Sequence, residues 1–557
     1  MKWLFGEALA RARSIHPRCT RRSFAVLLVA TVVCAGSTPQ PAVGTITAMG
    51  EVLPNPLVPN TLVDIATNST GSILIDGGST FQSSSANIGH NEIGSVTVTD
   101  TGSSWAIDGS AEIGFSGIGR LDIRDGGSVN TGSGTMRLGA NTGGLGRVVV
   151  ENLGSVLQTL GPVTVGSSGA GVLRIADQGI VNMRNTNNQL QIGSSGRVEF
   201  ADGLFKVEGT VTNNGVIAGA GELFATAGSP MQNNGRIEAG SGQRLLISGT
   251  TSGSVQNNGI IDADGGEIEF TRLVSTGSSG STLVGQVTLR DALVRFALPG
   301  TSGAGLNNSG ALSAYGGVND VFGRITNLST GKIAVTNDSV LTFHHTVTNQ
   351  SGTISVFDGS TAIFLQDLTM GGGMLLADLG GVEGFGHVEV VGNVQLGSSS
   401  LAVNLANGFV PQAGDSFSLI AAGGTISGSP TLGTMPALSN GLVWDLDVEA
   451  HRVLLNVLPT PTGDYNFNGV VDAADYVAWR KTLNQTGMGL AADGNHDGTV
   501  DDADYAVWRA NFGATAGGAG VAAVASAIVP EPATCSLLLI ALVAACRRPV
   551  RRGTENR

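Results

Sequence analysis

A short sequence motif recurs along the first half of this chain of 557 residues. Each copy opens with an aliphatic residue and a glycine, and successive glycines are 25, 25, 27 and 27 residues apart. These glycines are Gly89, Gly114, Gly139, Gly166 and Gly193. One unit of this length cannot bury its apolar face alone, whereas stacked units share a continuous core. The period therefore predicts a solenoid.

Inside each copy, apolar and polar residues alternate over a few positions, as in the stretch RLDIRD. There Leu121 and Ile123 lie on one face, while Arg120, Asp122 and Arg124 lie on the other. This period of two is typical of a half-buried β-strand. Glycines follow each strand, because the corners of a coil need positive φ angles or close backbone packing.

After residue 200 the repeat changes to Asn-Asn-Gly, or a close variant of it, followed by an alternating segment. Its glycines are Gly215, Gly235, Gly259, Gly310, Gly331 and Gly352. Asparagine tolerates a left-handed corner, and its amide can stack on the asparagine of the next coil, which fits a solenoid turn. A series of hairpins with type I′ turns is the alternative. We favour the solenoid because the strand segments are short and evenly spaced.

These patterns predict an all-β chain built mainly as a parallel β-helix of about 12 to 14 coils. The glycine-rich repeats span residues 71–200, and the Asn-Asn-Gly repeats span residues 201–370. Residues 36–70 are predicted to form an N-terminal cap or linker. Residues 371–458 are predicted to form the last coils and a small antiparallel β domain, because exposed sheet edges need cover. The first repeat resembles repeats associated with autotransporters and PEP-CTERM proteins, which implies an extracellular β-helix with a surface role.

The N-terminus has the features of a targeting signal. Residues 1–35 combine basic residues, an apolar run and small residues near Ala35, which predicts an export signal peptide. A membrane anchor is the alternative, but the run is about half as long as a membrane span requires. The stretch TRRSF leaves both the general and the twin-arginine export routes open.

The C-terminus has a second signal, residues 529–557, which follows a predicted linker over residues 516–528. It contains Pro-Glu-Pro, an apolar stretch and a basic cluster. This order resembles the PEP-CTERM sorting signal, which implies an exosortase-type processing enzyme and a cell-surface or extracellular-matrix location. A short tail anchor is the alternative, and both terminal segments would make transient membrane contact. All four cysteines lie in the terminal segments, so we expect no disulfide in the body.

The charge of the chain is unevenly distributed. The net charge is −13, although eleven of the 30 basic residues lie within residues 1–22 and 547–557. The body between these segments is therefore strongly acidic and would repel phosphate groups. We expect no nucleic-acid binding, whereas metal cations would be attracted.

Two acidic segments of twelve residues begin at Asp464 and Asp493, 29 residues apart. A calcium loop takes oxygen ligands from positions 1, 3, 5, 7, 9 and 12 and has glycine at position 6, here Gly469 and Gly498. The predicted ligands, with position 7 acting through its carbonyl group, are Asp464, Asn466, Asn468, Val470, Asp472 and Asp475, then Asp493, Asn495, Asp497, Thr499, Asp501 and Asp504. A loop that binds nothing is the alternative for either copy alone. The matched pair favours two Ca²⁺ sites.

A predicted helix follows each loop and carries a tyrosine and a tryptophan three residues apart. Tyr476 with Trp479, and Tyr505 with Trp508, are predicted to form a small core between the two halves. A loop and a helix, duplicated at this spacing, resemble the type I dockerin module over residues 463–513. The resemblance implies that folding needs calcium and that the partner is a cohesin-like protein module.

The resemblance also implies where the partner would bind. In the dockerin family two adjacent loop positions contact the partner, and here they would be Ala473 with Ala474, and Asp502 with Ala503. Many members have serine and threonine there, so the class of partner stays open. We assign the whole predicted module to residues 459–515.

An enzyme is the main alternative, because parallel β-helices also occur as polysaccharide lyases and glycoside hydrolases. Such enzymes need carboxylates or basic residues clustered on one face. The sequence instead places Asp262 at a predicted turn, and it predicts that His344 and His345 face opposite ways on a strand. His496 is at position 4 of the second loop, which is not a ligand position. We therefore expect a non-enzymatic, exported structural or adhesive protein, with extracellular polysaccharide as a further partner to test.

Overall fold

The structure is a computed structural model that describes residues 44–226, 228, 230–249, 253–276, 285–296, 305–439 and 441–516. The predicted export signal, the sorting tail, residues 517–528 of the predicted linker and all four cysteines lie outside these residues. Within the described residues, no helix is long and apolar enough to cross a membrane.

The chain forms two compact units. Of the described residues, the first contains those from 44 to Val410, together with Ser416–Ala437 and Leu446–Asn456. The second contains Pro411–Asp415, Leu438–Asp445 and those from Val457 to 516. Among the described residues, the first unit is built from strands and the second carries two short helices, so the predicted all-β class with a small helical module is confirmed.

The first unit is a parallel β-solenoid. Strands at equivalent positions in successive turns pair in parallel and form three ladders. The first ladder contains β4 (Gly71–Ile75), β7 (Ile93–Val98), β10 (Ile118–Ile123), β13 (Leu145–Glu151), β16 (Ala170–Ala176), β19 (Gly196–Val207), β21 (Val216–Ala225), β23 (Arg236–Ala239), β26 (Ile260–Asp264), β29 (Gln286–Arg290), β32 (Ala311–Tyr315), β35 (Lys332–Thr336), β38 (Thr353–Val356), β41 (Met374–Leu379), β44 (Ser400–Leu405) and β47 (Thr431–Leu432). The second contains β5 (Thr80–Ser83), β8 (Ser104–Ile107), β11 (Ser128–Thr131), β14 (Val156–Thr159), β17 (Ile180–Met183), β24 (Arg244–Gly249), β27 (Glu267–Phe270), β30 (Leu293–Phe296), β33 (Val318–Phe322), β36 (Val340–Phe343), β39 (Thr361–Phe364), β42 (His387–Val390) and β45 (Ser416–Ala422), and is joined by the second halves of β19 and β21. The third contains β3 (Leu62–Ile65), β6 (Ser85–Ile88), β9 (Ala111–Ile113), β12 (Met136–Leu138), β15 (Val163–Val165), β18 (Gln189–Ile192), β20 (Thr210–Asn213), β22 (Met231–Asn233), β25 (Ser254–Asn257), β28 (Leu273–Thr276), β31 (Leu306–Asn308), β34 (Ile325–Asn327), β37 (Val347–Asn349), β40 (Leu368–Met370), β43 (Val394–Gln395) and β46 (Ile426–Ser427).

Antiparallel strands flank the parallel ladders at both ends. At the N-terminal end, β1 (Ile46–Gly50) pairs with β4 and β2 (Val52–Leu53) pairs with β3. At the C-terminal end, β49 (Arg452–Pro459), which follows β48 (Leu442–Val448), pairs with β45. These partners satisfy backbone groups that an exposed strand edge would offer to another chain.

The parallel ladders continue beyond residue 370, where the sequence period breaks. β41, β44 and β47 extend the first ladder to Leu432 with parallel pairing. The solenoid therefore extends past residue 370. Longer connections between strands, at residues 380–386 and 406–415, obscure the repeat in the sequence while the register of the strands is kept.

Side chains inside the solenoid stack in columns, because the register is kept from turn to turn. Leu121 is buried, as predicted, and lies opposite Val96 in the previous turn and Val148 in the next. Aromatic rings stack in the same way, with the ring centroids of Phe343 and Phe364 4.8 Å apart. Burial of such columns stabilises the fold by roughly 25 cal/mol per Å² of apolar surface.

The repeated glycines lie at corners where successive turns meet. A φ angle of 68° to 72° is shared by Gly89, Gly114, Gly139 and Gly166. A Cβ atom on Gly139 would also overlap the carbonyl group of Ala170 in the next turn. Backbone conformation and close packing therefore both require glycine at this corner.

Replacement of Gly139 by alanine is expected to lower the free energy of unfolding of the solenoid by about 3 kcal/mol or more, because strain and overlap add. Gly143 is a matched control in the same corner, since its φ is +86° but a Cβ there would meet nothing within 4 Å. Gly143→Ala should lower it by about 1 kcal/mol. Urea denaturation followed by circular dichroism measures both, and equal losses would contradict the role given to the contact with Ala170.

An asparagine ladder runs inside the second half of the solenoid. The first asparagine of each repeat unit is fully buried, and its Nδ2 donates to the Oδ1 of the next at 2.7 to 2.8 Å. The two series are Asn213, Asn233 and Asn257, and Asn308, Asn327 and Asn349. The predicted amide stacking is confirmed. The predicted left-handed corner at these asparagines is wrong, because their φ angles lie outside that region.

Asn233→Ala is expected to destabilise the solenoid by about 1 to 3 kcal/mol, because Asn257 Oδ1 loses its donor inside the core. Asn234, the next residue, is exposed and is the matched control. Asn234→Ala removes an amide of the same size but should change stability by less than about 0.5 kcal/mol. Thermal denaturation of the two variants compares them, and a similar shift in both would argue against the buried ladder.

Candidate metal centre

Both helices of the second unit begin with an aspartate that is also a predicted ligand. The helices are α1 (Ala473–Thr482) and α2 (Asp502–Asn511). Their N-caps, Asp472 and Asp501, accept a backbone hydrogen bond through the side chain. The side chains of the third helical residues, Asp475 and Asp504, accept a hydrogen bond from the backbone amide of the N-cap and complete a capping box. Loop positions 9 and 12 therefore also fix the start of each helix.

The first loop is folded around the carboxylates at its two ends. The Oδ1 atom of Asp464 accepts a hydrogen bond from the Asn468 amide at 3.1 Å, and its Oδ2 accepts one from Gly469 at 2.7 Å. The carboxylate of Asp475 closes the other end. It accepts from the amide groups of Tyr465, Asn466 and Asp472 at 2.9, 3.0 and 2.7 Å.

The second loop repeats this arrangement at the equivalent atoms. Asp493 accepts from the amides of Asp497 and Gly498 at 3.1 and 2.8 Å. Asp504 accepts from the amides of Asn495 and Asp501 at 3.1 and 2.8 Å. Because the two loops match in their hydrogen bonds as well as in their sequence, they are two copies of one structural unit.

Two turn residues in each loop have left-handed backbone conformations. Gly469 and Gly498 have φ of 87° and 85°, as position 6 of a calcium loop requires. Position 4 has the same property, since Phe467 and His496 have φ of 57° and 62°. The sequence analysis missed this second turn, and the spacing of polar residues contains no signal for it.

Four carboxylates at the ends of the loops are buried without a cationic neighbour. The residues Asp464, Asp475, Asp493 and Asp504 are 0 to 6% exposed, and none forms an ion pair with lysine or arginine in the described part of the chain. Burial raises the pKa of Asp464, and the amides of Gly469 and Asn468 oppose this rise. Burial and the nearby carboxylates also raise the pKa of Tyr465. Buried charges need a partner of opposite sign, so the loops fit a bound cation.

All twelve predicted ligand residues lie in these loops or at the starts of the helices, and each offers oxygen. Among the described residues, no group of three or more His, Cys, Asp or Glu side chains is gathered as metal ligands would be. Several carboxylate oxygens instead face backbone amides. The donor chemistry still fits calcium, which takes carboxylate, amide and carbonyl oxygens. The individual ligands stay a prediction.

The aromatic side chains of α1 and α2 pack together between the two halves, as predicted, but Tyr476 is 39% exposed and lies outside the buried core. The ring centroids of Tyr476 and Trp508 are 5.5 Å apart, and those of Trp479 and Tyr505 are 5.1 Å apart. Tyr465 joins this core from the first loop, a contribution that the sequence analysis missed. An aromatic residue at position 2 of a loop otherwise built from polar residues is the signal that could have indicated it.

One family of known proteins corresponds to this module. Its model matches residues 462–511, which hold both loops and both helices. The family is the Dockerin type I domain. Dockerin domains generally bind calcium and cohesin modules, and they typically occur on extracellular proteins. No curated protein matches the chain.

The positions through which a dockerin would contact its partner are open to solvent here. Ala473, Ala474, Asp502 and Ala503 are all exposed at the first turns of the two helices. They are positions 10 and 11 of the candidate metal loops and do not belong to the buried core.

Asp262, a carboxylate of the solenoid, lies in β26 and not at a turn, so its predicted position is wrong. It forms an ion pair with Arg236 and accepts a hydrogen bond from Thr288 Oγ1 at 2.5 Å. β26 extends through Asp262 because it pairs with strands in the preceding and following coils of the solenoid. The local sequence does not show this pairing.

The paired histidines follow β36 and do not lie on it, so the prediction that they face opposite ways along a strand is wrong. His344 Nε2 is 2.6 Å from Asp320 Oδ1, and its ring stacks on Phe322 at 3.8 Å. The Nδ1 of His345 accepts from the Gly323 amide at 3.1 Å. Burial and the neighbouring His344 lower the pKa of His345.

Proposed function

We propose that this chain is an exported surface or matrix protein without enzymatic activity, in which a β-solenoid carries a calcium-dependent docking module. The module binds two calcium ions, one in each loop, and then binds a cohesin-like partner. The solenoid acts as a spacer or adhesive body outside the cell.

The buried end carboxylates of the two loops are the observation that carries this proposal. Asp464 and Asp475 in the first loop, and Asp493 and Asp504 in the second, bring like charges together out of water. Two calcium ions would compensate four such carboxylates, and the dockerin match supports calcium as the cation.

Calcium titration of the whole chain by isothermal calorimetry tests the metal part of the proposal. The expected stoichiometry is two ions per chain, and no binding would overturn it. For the partner, the chain is immobilised and exposed to a panel of purified cohesin modules, first with calcium and then with a chelator. We expect binding that the chelator reverses, and no binding to any cohesin would reject a cohesin-like partner.

The exposed helix starts provide a control for the partner test. Ala474→Arg adds a long charged side chain at an exposed position. It keeps the backbone amide of residue 474, which donates a hydrogen bond to Asp472 Oδ1. It should abolish cohesin binding and keep the calcium stoichiometry at two. Loss of both would show that the substitution disturbs the loop and not the contact.

Export and sorting are proposed from the terminal segments. In the producing cell, mass spectrometry of the mature protein should find a new N-terminus near residue 36 and loss of the tail that begins near residue 529. An intact chain recovered from the cytoplasm would contradict this part of the proposal.

A polysaccharide-cleaving enzyme is the second candidate, and a groove on the polar face of the first ladder favours it. The groove has a volume of about 420 Å³. Its charged lining comes from successive turns: Arg174, Arg197, Glu199, Arg236, Glu238, Asp262 and Asp264. Arg197 reaches Glu238 at 3.0 Å across the intervening turn, where Ala218 is too short to separate them. Arginines and carboxylates in a groove are what such an enzyme needs.

A glycan panel separates the two candidates. The proposed spacer role predicts no release of reducing ends or unsaturated products from any polysaccharide. Activity that is present in the native chain and absent in Glu238→Gln would establish the enzyme instead. The existing ion pairs of Glu199 and Glu238 with arginine favour the structural role.

A further inference from the structure

The two halves of the dockerin module are joined by hydrogen bonds that run crosswise. The indole Nε1 of Trp479 in α1 donates to the carbonyl oxygen of Asp501 in the second loop at 2.8 Å. The indole Nε1 of Trp508 in α2 donates to the carbonyl oxygen of Asp472 in the first loop, also at 2.8 Å. Each tryptophan therefore contacts the loop of the other half, at the residue that caps the helix and is a predicted ligand.

The backbone repeats the crosswise arrangement. The segment after α2 pairs with the first loop, and the segment after α1 pairs with the second, through three hydrogen bonds of 2.8 to 2.9 Å on each side. At the first loop, the backbone amide of the first residue in each pair donates to the carbonyl of the second: Val471 to Ala514, Gly513 to Val471 and Ala516 to Gly469. At the second loop, the corresponding pairs are Val500 to Gln485, Asn484 to Val500 and Gly487 to Gly498. Each loop is therefore completed by backbone from the other half as well as by the start of its own helix.

One further crosswise bond has no counterpart. The hydroxyl group of Tyr465 in the first loop donates to the carbonyl oxygen of Asp504 at the start of α2, at 2.6 Å. Gly494 stands at the equivalent place in the second loop, and a Cβ there would overlap the tyrosine hydroxyl. The second copy lacks a side chain at the point where the first copy needs the space.

We infer that Trp479 and Trp508 are positioning residues that couple the two calcium loops, each holding the loop of the other half in its binding shape. The inference rests on the calcium binding proposed above and adds a regulation to it. Ordering of the first loop fixes the Asp472 carbonyl, which engages Trp508 and so orients α2. The start of α2 carries Asp504, a predicted ligand of the second loop, so occupancy of one loop favours occupancy of the other.

Hydrogen exchange measured by mass spectrometry on the whole calcium-loaded chain tests the coupling loop by loop. Trp508→Phe keeps an aromatic ring in the cluster and removes the donor to Asp472. We expect exchange over residues 464–475 to accelerate about fivefold, and exchange over residues 493–504 to accelerate by a smaller factor because α2 loses the same anchor. Trp479→Phe should give the mirror image, with the larger acceleration in the second loop.

A control and a second kind of variant keep the test decisive. Tyr505→Phe removes only a hydroxyl from the same cluster and should leave both loops unchanged. Tyr465→Phe removes the donor to Asp504 and should accelerate exchange at the start of α2, even if a tryptophan variant fails to fold. Equal acceleration in both loops, or the larger acceleration in the loop of the same half, would overturn the coupling.

The same measurement separates failure of the coupling from failure of the proposed function. If a chelator leaves exchange in both loops of the native chain unchanged, calcium binding itself is wrong. If calcium slows exchange in both loops but the tryptophan variants lack the crosswise pattern, calcium binding stands and only the coupling is rejected.

Discussion

Chelation of calcium is expected to unfold the dockerin module while the solenoid keeps its strands. Without a cation, the end carboxylates of both loops stay buried against one another, and each uncompensated charge costs several kcal/mol. The buried core that opposes this cost consists of Tyr465, Trp479, Ala492 and Val500. So few buried side chains cannot hold a unit of this size alone. The helical signal in circular dichroism should therefore disappear.

Tryptophan fluorescence locates the change. Trp479 and Trp508, two of the five tryptophans, should become exposed to water and shift their emission to longer wavelength. Trp105 is buried in the solenoid and donates to Ser83, so its contribution should persist. Excess calcium should restore the native signals, and magnesium should restore them less well because it demands a tighter octahedral shell. A module that keeps its helices in chelator would contradict the role assigned to the carboxylates.

The solenoid could be predicted because its repeat is visible in short stretches of the sequence. Gly139 and its equivalents recur at one phase of each coil, and the alternation around Leu121 sets the buried face. The physical reason for each glycine could not be predicted. Gly139 combines a left-handed backbone with a close contact, whereas Gly235 has only the contact, with the carbonyl group of Gly215. That contact comes from the previous turn and has no signature near Gly235 in the chain.

The shorter repeats between Gly193 and Gly235 have a structural cause that the sequence does not reveal. β19 pairs with both β16 and β17, and β21 in turn pairs with both β23 and β24. Single long strands there replace two strands and a turn. Pairing with strands of the neighbouring coils makes β19 continuous here, because the sequence around Ala201 and Gly203 is also compatible with a corner.

The calcium loops were predictable within each half, and so was the aromatic contact between the halves, but the hydrogen bonds between the halves were not. Ligand offsets, the turn glycine and the helix start all lie within twelve residues, where local geometry decides the outcome. The bond from Trp508 to Asp472 joins residues 36 positions apart. No periodicity connects them, so the interlocking of the two halves became visible only in three dimensions.

Asp504→Ala is expected to weaken calcium binding at the second loop by about 100-fold or more, because Asp504 has three roles there. It is a predicted ligand at position 12, it is fully buried, and it accepts hydrogen bonds from the amides of Asn495 and Asp501. Removal of its carboxylate opens the loop and breaks the capping box of α2. Calorimetric titration should then detect one strong site in place of two.

Asp502→Ala is the matched control, since Asp502 is in the same helical turn, carries the same charge and is exposed. It removes the same charge near the positive end of α2 and should change calcium affinity by less than about threefold. Asp504→Asn keeps an oxygen acceptor and the shape of the side chain, so its loss should fall between the two. If Asp502→Ala and Asp504→Ala weaken binding equally, net charge alone attracts the cation. A loss of calcium affinity that is specific to Asp504 is expected if the residues of the loop bind the ion directly.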